Sequence, residues 1–145
     1  MSEKQEFLAA ALPRQREAEI AILNGDPGPR KMLWSHNDPV TVLGADRTAN
    51  GWSEVEALFD WLGSNFSKCE SSEFEVLAAG ASGDLAYAVG FERMTAAVGG
   101  QAPVPFALRV PLIFRREDGA WKAVHRHADP MPGSHTVGDQ LGNLK

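Results

Sequence analysis

The amino-terminal part of the chain has the spacing of apolar residues that is typical of amphipathic helices. Residues 3–24 place their apolar side chains roughly on one side of a helix, and Gly25 ends it. Pro13 leaves two alternatives open: the helix kinks there, or the main helix begins there with the proline in its first turn. A short second helix is predicted within residues 26–34, and residues 39–43 are rich enough in β-branched side chains to predict a strand.

The clearest predicted helix covers residues 53–65. Ser53 and Glu56 have the spacing of a capping box, and the apolar residues that follow keep helical spacing through Phe66. Four strands are predicted after it, at residues 74–79, 85–94, 104–114 and 121–127, separated by Gly-rich or Asp-Gly turns. Helices followed by a meander of strands predict an α+β fold, in which a curved antiparallel sheet wraps around a long helix.

The last predicted hairpin carries two histidines at strand spacing, and its turn decides which face they occupy. If Asp118 and Gly119 formed a two-residue loop, Phe114 would pair with Ala123 and the histidines would lie beside apolar residues of the preceding strand. If Gly119 instead closes a three-residue loop with a bulge, the pairing shifts by one residue and the faces exchange. We favour the bulged loop, because a helical position suits Asp118 and a left-handed one suits Gly119.

With the bulged loop, Arg115 pairs with Trp121 and the histidines share a mixed face that we interpret as the polar end of a pocket. The predicted members of this face are Arg109, Pro111, Ile113, Trp121, Ala123, His125 and His127. The opposite face is strongly apolar and needs a cover, which a second copy of the chain would supply. The sequence therefore predicts a homodimer through the outer face of the sheet, unless the apolar face is simply the core and the histidines are solvated.

Composition and charge limit the classes of function. A chain of 145 residues with 43% hydrophobic and 23% charged residues is expected to form a single domain, residues 1–130, followed by a poorly ordered tail, residues 131–145. The net charge of −5 argues against nucleic-acid binding by phosphate neutralisation. No apolar run is long enough to span a bilayer, and the polar start lacks a signal-peptide pattern, so we expect a cytoplasmic protein. The single cysteine, Cys69, excludes an internal disulfide.

Several short segments, in this order, resemble the nuclear transport factor two-like superfamily, which includes ketosteroid isomerases, SnoaL-like polyketide cyclases and the association domain of calmodulin-dependent kinase. They are Asn24-Gly25-Asp26, the stretch from Trp34 to Thr41, Gly51-Trp52, Gly83-Asp84-Leu85-Ala86-Tyr87 and the last hairpin. The resemblance implies a cone-shaped α+β roll, usually dimeric, with a pocket between the concave sheet and the helices. It says little about function, because this fold carries many activities.

The resemblance also allows one familiar activity to be tested by position. Ketosteroid isomerases carry a general-base carboxylate late in the first strand and a tyrosine partway along the first helix. In this chain, Leu43 or Gly44 falls at the first position and Ala18 at about the second. Without a base for the carbon-bound proton or a donor for the enolate oxygen, steroid isomerase activity is not expected.

A different set of polar and aromatic residues remains for the pocket. The candidate catalytic residues are Asp38, Glu92, His125 and His127, and the candidate ligand-binding residues are Trp34, His36, Trp52, Tyr87, Arg109 and Trp121. A carboxylate beside an imidazole makes an acid/base pair that works near neutral pH. The alternatives are structural: an ion pair between Glu92 and Arg109, a turn held by Asp38, and aromatic residues that belong to the core. A metal site built from His36, Asp38 and the two later histidines is disfavoured, since a His-x-His pair is common by chance.

The sequence thus predicts a small-molecule-binding SnoaL-like protein whose activity, if it is an enzyme, is cofactor-independent acid/base chemistry of the cyclase, isomerase or hydratase type. Arg109 would hold an anionic or carbonyl group of the ligand. The competing hypothesis is a non-catalytic binding or association module that resembles the kinase association domain. No cofactor, nucleic acid or membrane is expected as a partner.

Overall fold

The computed structural model describes residues 1–132, which form three helices and a single six-stranded sheet. The elements are α1 (Glu3–Leu23), α2 (Gly28–Leu33), β1 (Thr41–Gly44), β2 (Arg47–Asn50), α3 (Trp52–Asn65), β3 (Phe66–Ser82), β4 (Leu85–Val98), β5 (Val104–Glu117) and β6 (Ala120–Pro130). The predicted tail falls almost entirely on residues 133–145, which lie outside the described residues.

The strands follow one another in space as β2-β1-β6-β5-β4-β3. All neighbours run antiparallel except β1 and β6, which are parallel. The sheet is curved and unclosed, and the long amino-terminal helix packs against it, so the predicted α+β fold with its strand meander is confirmed. Two parts of the sheet were not predicted: β2, and the first half of β3, where polar and apolar residues do not alternate cleanly.

Helix α1 is one continuous helix that contains Pro13, so the alternative in which the main helix begins at that proline is wrong. A capping box starts it, in which the Gln5 backbone N–H donates to Ser2 Oγ (3.1 Å) and the Ser2 N–H donates to the Gln5 side chain (3.0 Å). Gly25 ends it with a φ of 93°, a left-handed conformation that glycine adopts without a steric penalty.

Helix α3 begins at Trp52, one residue before the predicted start, and the predicted capping box of Ser53 and Glu56 is wrong. Its N-cap is Gly51, which has no side chain to offer. The Asp38 carboxylate caps the helix instead, because Asp38 Oδ1 accepts a hydrogen bond of 2.8 Å from the Trp52 backbone N–H. A carboxylate at a helix N-terminus also interacts favourably with the helix dipole.

The helices cover the face of the sheet that carries Trp121. Phe7 of α1 meets Phe114 and Trp121 edge-on, with ring centroids 5.1 and 5.3 Å apart. Along β5, Leu108, Val110 and the other even-numbered positions through residue 114 are buried on this inner face, as the two-residue period of a strand requires. The odd-numbered positions of this stretch therefore lie on the outer face.

The last hairpin has a two-residue loop, so the bulged three-residue loop that we favoured is wrong. Glu117 pairs with Ala120, and the loop between them has φ values of 50° at Asp118 and 78° at Gly119. Two consecutive positive φ values define a type I′ turn, whose twist matches that of the flanking strands and which Asp-Gly favours. Phe114 consequently pairs with Ala123, as the two-residue alternative required.

A β-bulge lies further along β6. Phe114 pairs with Ala123 and Ile113 pairs with His125, so Val124 is an extra residue with no counterpart on β5. One extra residue reverses the alternation of side chains beyond it. Before the bulge, Trp121 and Ala123 face the helices, contrary to their predicted place on the histidine face. After it, Arg126 faces the helices, while His125 and His127 share the outer face with Arg109, Pro111 and Ile113, as predicted.

Candidate functional site

A cavity of about 460 Å³ lies between the inner face of the sheet and the helices. Its walls are apolar and consist of Ile22, Leu23, Leu62, Phe66, Met94 and Leu108. Its polar end is formed by Glu19, Arg30 and Arg126, and residues 43–48 and 127–130 surround its mouth. Most of the cavity wall is thus apolar, and charged side chains converge at one end of it.

Arg126 is the polar-end residue that the bulge in β6 turns inward. Its guanidinium donates two hydrogen bonds to the Glu92 carboxylate on β4, from Nη1 to Oε2 (2.8 Å) and from Nη2 to Oε1 (2.6 Å). Gln15 of α1 donates a third bond to Glu92 Oε2 at 3.4 Å. Both charged side chains are buried, so they satisfy each other's charge where water does not.

Arg30 and Glu19 form a second buried ion pair, which joins α2 to α1 at the same end of the cavity. The Arg30 guanidinium also lies over the ring of Phe59 on α3, 5.3 Å from its centroid. The four charged residues Glu19, Arg30, Glu92 and Arg126, together with Gln15, are called the inner polar cluster below. Its members come from four different elements, so its geometry depends on the whole fold.

The two carboxyl groups of the inner polar cluster have opposite electrostatic environments. Burial raises the pKa of Glu19 above its ordinary value, and the Arg30 guanidinium offsets only part of this. Burial acts in the same direction on Glu92, but the charge and hydrogen bonds of Arg126, together with the charge of Arg30 and the hydrogen bond from Gln15, outweigh it, so the pKa of Glu92 is lowered. Such a separation between neighbouring carboxyl groups is how one site obtains a proton-holding group and a permanent anion.

The predicted ion pair between Glu92 and Arg109 is absent, because the two residues face opposite sides of the sheet. Arg109 pairs instead with Asp129 on the outer face, with bonds of 2.8 and 2.9 Å from Nε and Nη2. Its side chain is 57% exposed, so it does not reach the cavity. The physical reason is the register of β4 against β5, in which Glu92 is opposite Leu108 on the inner face and Arg109 is opposite Phe91 on the outer face.

The two predicted catalytic histidines lie on the outer face. The half-buried His125 shares a hydrogen bond of 2.8 Å between its Nδ1 and Thr41 Oγ1 on β1. Burial, and then the positive charge of His127, lower the pKa of His125. His127 is exposed and lines the mouth of the cavity. The structure does not bring the histidines together with Asp38 or Glu92, and the catalytic role of these four residues stays a prediction.

The other predicted ligand-binding residues are spread over the molecule. His36 stacks on the Trp52 ring at 4.0 Å, near the start of α3, and its Nε2 is 2.8 Å from the Lys31 carbonyl oxygen. Trp34 and Trp121 are buried in the core, and Tyr87 is half exposed on the outer face. Within residues 1–132, no three side chains of His, Cys, Asp or Glu are grouped so that they could hold a metal ion.

The sequence reasoning missed three residues of the polar end: Glu19, Arg30 and Arg126. A signal for the first was present, since Gln15 and Glu19 continue the four-residue spacing that Phe7 and Ala11 begin on the buried side of α1. Polar residues inside an apolar helical stripe indicate buried polar partners. Arg126 had no comparable signal, because its inward direction depends on the bulge.

A curved sheet covered by helices on one side, with a cavity of mixed polarity between them, defines the class of α+β rolls with an internal pocket. The chain belongs to the SnoaL-like domain family, whose model matches residues 24–132. A comparison with curated protein sequences gives no significant match. No helix within residues 1–132 is both long and apolar enough to cross a membrane.

Solved structures agree with this assignment at the level of the fold. A nuclear transport factor 2-like superfamily protein from Salmonella enterica has 21% identity and a TM-score of 0.72, covering 93% of this chain and 94% of its own. A dehydratase candidate of the same family from Streptomyces avermitilis has 19% identity and a TM-score of 0.70, with 90% and 99% covered. A candidate association domain of calcium/calmodulin-dependent protein kinase type II from Thiobacillus denitrificans has 20% identity and a TM-score of 0.66, with 85% and 94% covered.

Proposed function

We propose that the protein binds a small organic molecule in the cavity, with an oxygen-bearing group of the ligand against Glu19, Arg30 and Arg126. The observation that carries this proposal is the position of the inner polar cluster at the end of an otherwise apolar space. Burying four charges is costly, and replacing such groups by apolar ones often leaves stability unchanged or improves it. A charged end to the cavity therefore favours a binding role over a purely structural one.

We further propose that Glu19 is the acid/base group of a cofactor-independent reaction, such as a dehydration, isomerisation or cyclisation. Its raised pKa allows it to hold a proton closer to neutral pH than an ordinary glutamate does. In a dehydration, ionised Glu19 takes the proton from the carbon beside the carbonyl group, while the guanidinium groups of Arg30 and Arg126 stabilise the negative charge that develops on the carbonyl oxygen. Glu19 then delivers this proton to the hydroxyl group on the next carbon, which leaves as water as the double bond forms. The likeness to a dehydratase candidate supports this class of reaction.

Binding is tested with two matched variants on the same strand. Leu108→Trp fills the cavity from its wall, whereas Ile113→Trp adds the same bulk on the outer face. Benzoate, cyclohexanecarboxylate, naphthoate and their primary amides are titrated into labelled protein and followed by NMR. We expect probe-dependent shifts at cavity residues in the wild type and in Ile113→Trp, and none in Leu108→Trp. Binding that is unaffected by Leu108→Trp would place the site elsewhere.

Turnover is tested with β-hydroxy ketones, whose dehydration creates a conjugated double bond that is detected by its absorbance. Glu19→Gln keeps the size of the side chain and removes its titratable group. We expect this variant to lose turnover while it still binds the unsaturated product. Equal rates in the wild type and in Glu19→Gln would exclude Glu19 as the acid/base group.

A second candidate function is association, favoured by the exposed apolar residues on the outer face of the sheet. Leu43, Leu85, Tyr87 and Ile113 are between 36% and 58% exposed there. The apolar face opposite the histidines, which was predicted to need a second copy as its cover, is covered by the helices instead, so that part of the prediction is wrong. We propose that two copies of the chain pair through the outer, histidine-bearing face to form a homodimer. Sedimentation equilibrium should give a dimer for the wild type and a monomer for Ile113→Asp. A wild-type monomer at high concentration would contradict the proposal, without bearing on ligand binding.

A further inference from the structure

The charges of the inner polar cluster balance when all four groups are ionised. Arg30 and Arg126 carry two positive charges, and Glu19 and Glu92 carry two negative charges. All four side chains are buried, so bulk water does little to screen an imbalance. An anionic ligand that entered the cavity would therefore leave one negative charge in excess.

One carboxylate of the cluster is better placed than the other to remove this excess by taking up a proton. Glu92 accepts two hydrogen bonds from Arg126 and one from Gln15, and all three favour its ionised form. Glu19 accepts a hydrogen bond from Arg30. It also lines the cavity, whereas Glu92 does not. The raised pKa of Glu19 and the lowered pKa of Glu92 agree with this order.

We propose that the cavity takes up a monoanion, such as an organic carboxylate, together with one proton from solvent that Glu19 accepts. This inference rests on the proposed function and names its ligand class. Protonation of Glu19 ends its charge pairing with Arg30, and the ligand's carboxylate becomes the new counterion of that guanidinium. The cluster and the ligand together then stay neutral, and Arg126 keeps its pair with Glu92.

A second cavity gives the proton a route that the ligand does not block. It has a volume of about 120 Å³, lies between α1 and the β3–β4 part of the sheet, and is lined by Glu19 and Glu92, of which Glu19 also lines the main cavity. At about 30 Å³ per molecule, this volume has room for several waters. Glu19 therefore lies between the ligand cavity and a space large enough for solvent.

Other titratable groups around Glu19 must be separated from it in any test. Those facing it or the two cavities are Arg16 on α1, Arg30 on α2, Cys69 and Glu73 on β3, Glu92 on β4 and Arg126 on β6, with Asp46, Arg47, His127 and Asp129 at the mouth. His127 matters most, because a histidine that becomes protonated on anion binding would mimic Glu19 near neutral pH.

The test is calorimetric titration of the full chain with the three carboxylates and their neutral amides, in phosphate and in Tris buffer at the same pH. The difference in heat between the buffers counts the protons taken up. We expect up to one proton per carboxylate and none per amide, with a carboxylate affinity that falls by up to about tenfold per pH unit as the pH rises. The same uptake is expected in His127→Gln, and none in Glu19→Gln.

The possible results distinguish failure of proton-coupled binding from failure of ligand binding in the cavity. Carboxylate binding without proton uptake, uptake that persists in Glu19→Gln, or uptake that is lost in His127→Gln overturns proton-coupled binding and leaves the cavity as a ligand site. Absence of binding by both acids and amides contradicts the proposed function itself. If Glu19→Gln does not fold, NMR titration of the Glu19 carboxyl carbon in the wild type replaces it, and its pKa must rise when benzoate is bound.

Discussion

Two arginine–carboxylate pairs lie on opposite faces of the same sheet and have nearly the same geometry. Arg109 and Asp129 share two hydrogen bonds of 2.8 and 2.9 Å on the outer face, and Arg126 and Glu92 share two of 2.8 and 2.6 Å on the inner face. Their surroundings differ completely. The Arg109 side chain is 57% exposed, whereas that of Arg126 is 8% exposed.

Because the two pairs have similar bond geometry, burial is what decides how much each pair contributes to the free energy of unfolding. Water solvates either partner of the outer pair when the other is removed, so losing one partner costs little. In the inner pair, removal of one partner leaves the other charge buried without the counterion that is hydrogen-bonded to it. The inner pair is therefore expected to control stability and the cavity, and the outer pair neither of them.

The largest expected effect comes from removing one partner of the inner pair. Arg126→Leu leaves Glu92 buried without its counterion and should lower the free energy of unfolding by about 3–5 kcal/mol. Urea denaturation followed by circular dichroism measures it. The double variant Arg126→Leu/Glu92→Leu should recover most of the loss, because no unpaired charge remains. A single variant as stable as the wild type would show that the pair is dispensable.

The second-largest expected effect is a difference between the two pairs in how the free energy of unfolding depends on pH. The pKa of Glu92 is lower in the folded protein than in the unfolded chain. Its ionised form therefore contributes to the free energy of unfolding at pH values above the unfolded pKa of about 4.3, and this contribution is lost as the pH falls through the folded pKa. Urea denaturation over an acidic pH series should give a flatter curve for Arg126→Leu/Glu92→Leu than for the wild type. Asp129→Asn should follow the wild type closely, and equal slopes for all three proteins would contradict this assignment.

A smaller effect is expected for the two histidines beside the outer pair. Part of the lowered pKa of His125 comes from the charge of His127, so His127→Gln should raise the pKa of His125. Histidine-selective NMR spectra recorded over a pH series measure this directly. If the His125 titration does not move, burial alone accounts for its lowered pKa.

The smallest effect is expected for the outer pair itself. Arg109→Leu removes an exposed arginine whose partner Asp129 stays in contact with water. The urea midpoint and the affinity for benzoate should both equal those of the wild type within error. A loss of binding would mean that the ligand contacts the outer face after all.

Much of the fold could be predicted because local sequence patterns agree with the final structure. The helical spacing of α1, the Gly25 stop and the turn residues between the strands each act over a few residues, so they are visible in the chain alone. The start of α3 was not predictable in this way. Its cap is the carboxylate of Asp38, which is far from Trp52 in sequence and becomes a cap only after folding.

The candidate site was harder to predict, because it depends on a register that no local pattern records. The two-residue turn at Asp118 and Gly119 and the unpaired Val124 each shift the faces of β6, and both must be known to place Arg126. The prediction that Arg109 and the histidines share a face holds, but that face is the outer one. The inner polar cluster also joins residues from four elements, and the sequence does not show which charges will meet.

The bulge at Val124 makes the chemistry of the cavity depend on strand register as well as on residue identity. If Val124 paired with Ile113 and the bulge were lost, His125 would lie opposite Leu112 and would face the helices in place of Arg126. Deletion of Val124, by contrast, would leave His125 opposite Ile113 and Arg126 opposite Leu112, so Arg126 would still face the cavity. An alignment of relatives that misplaces a gap by one position at the end of β6 would assign the wrong side chain to the pocket.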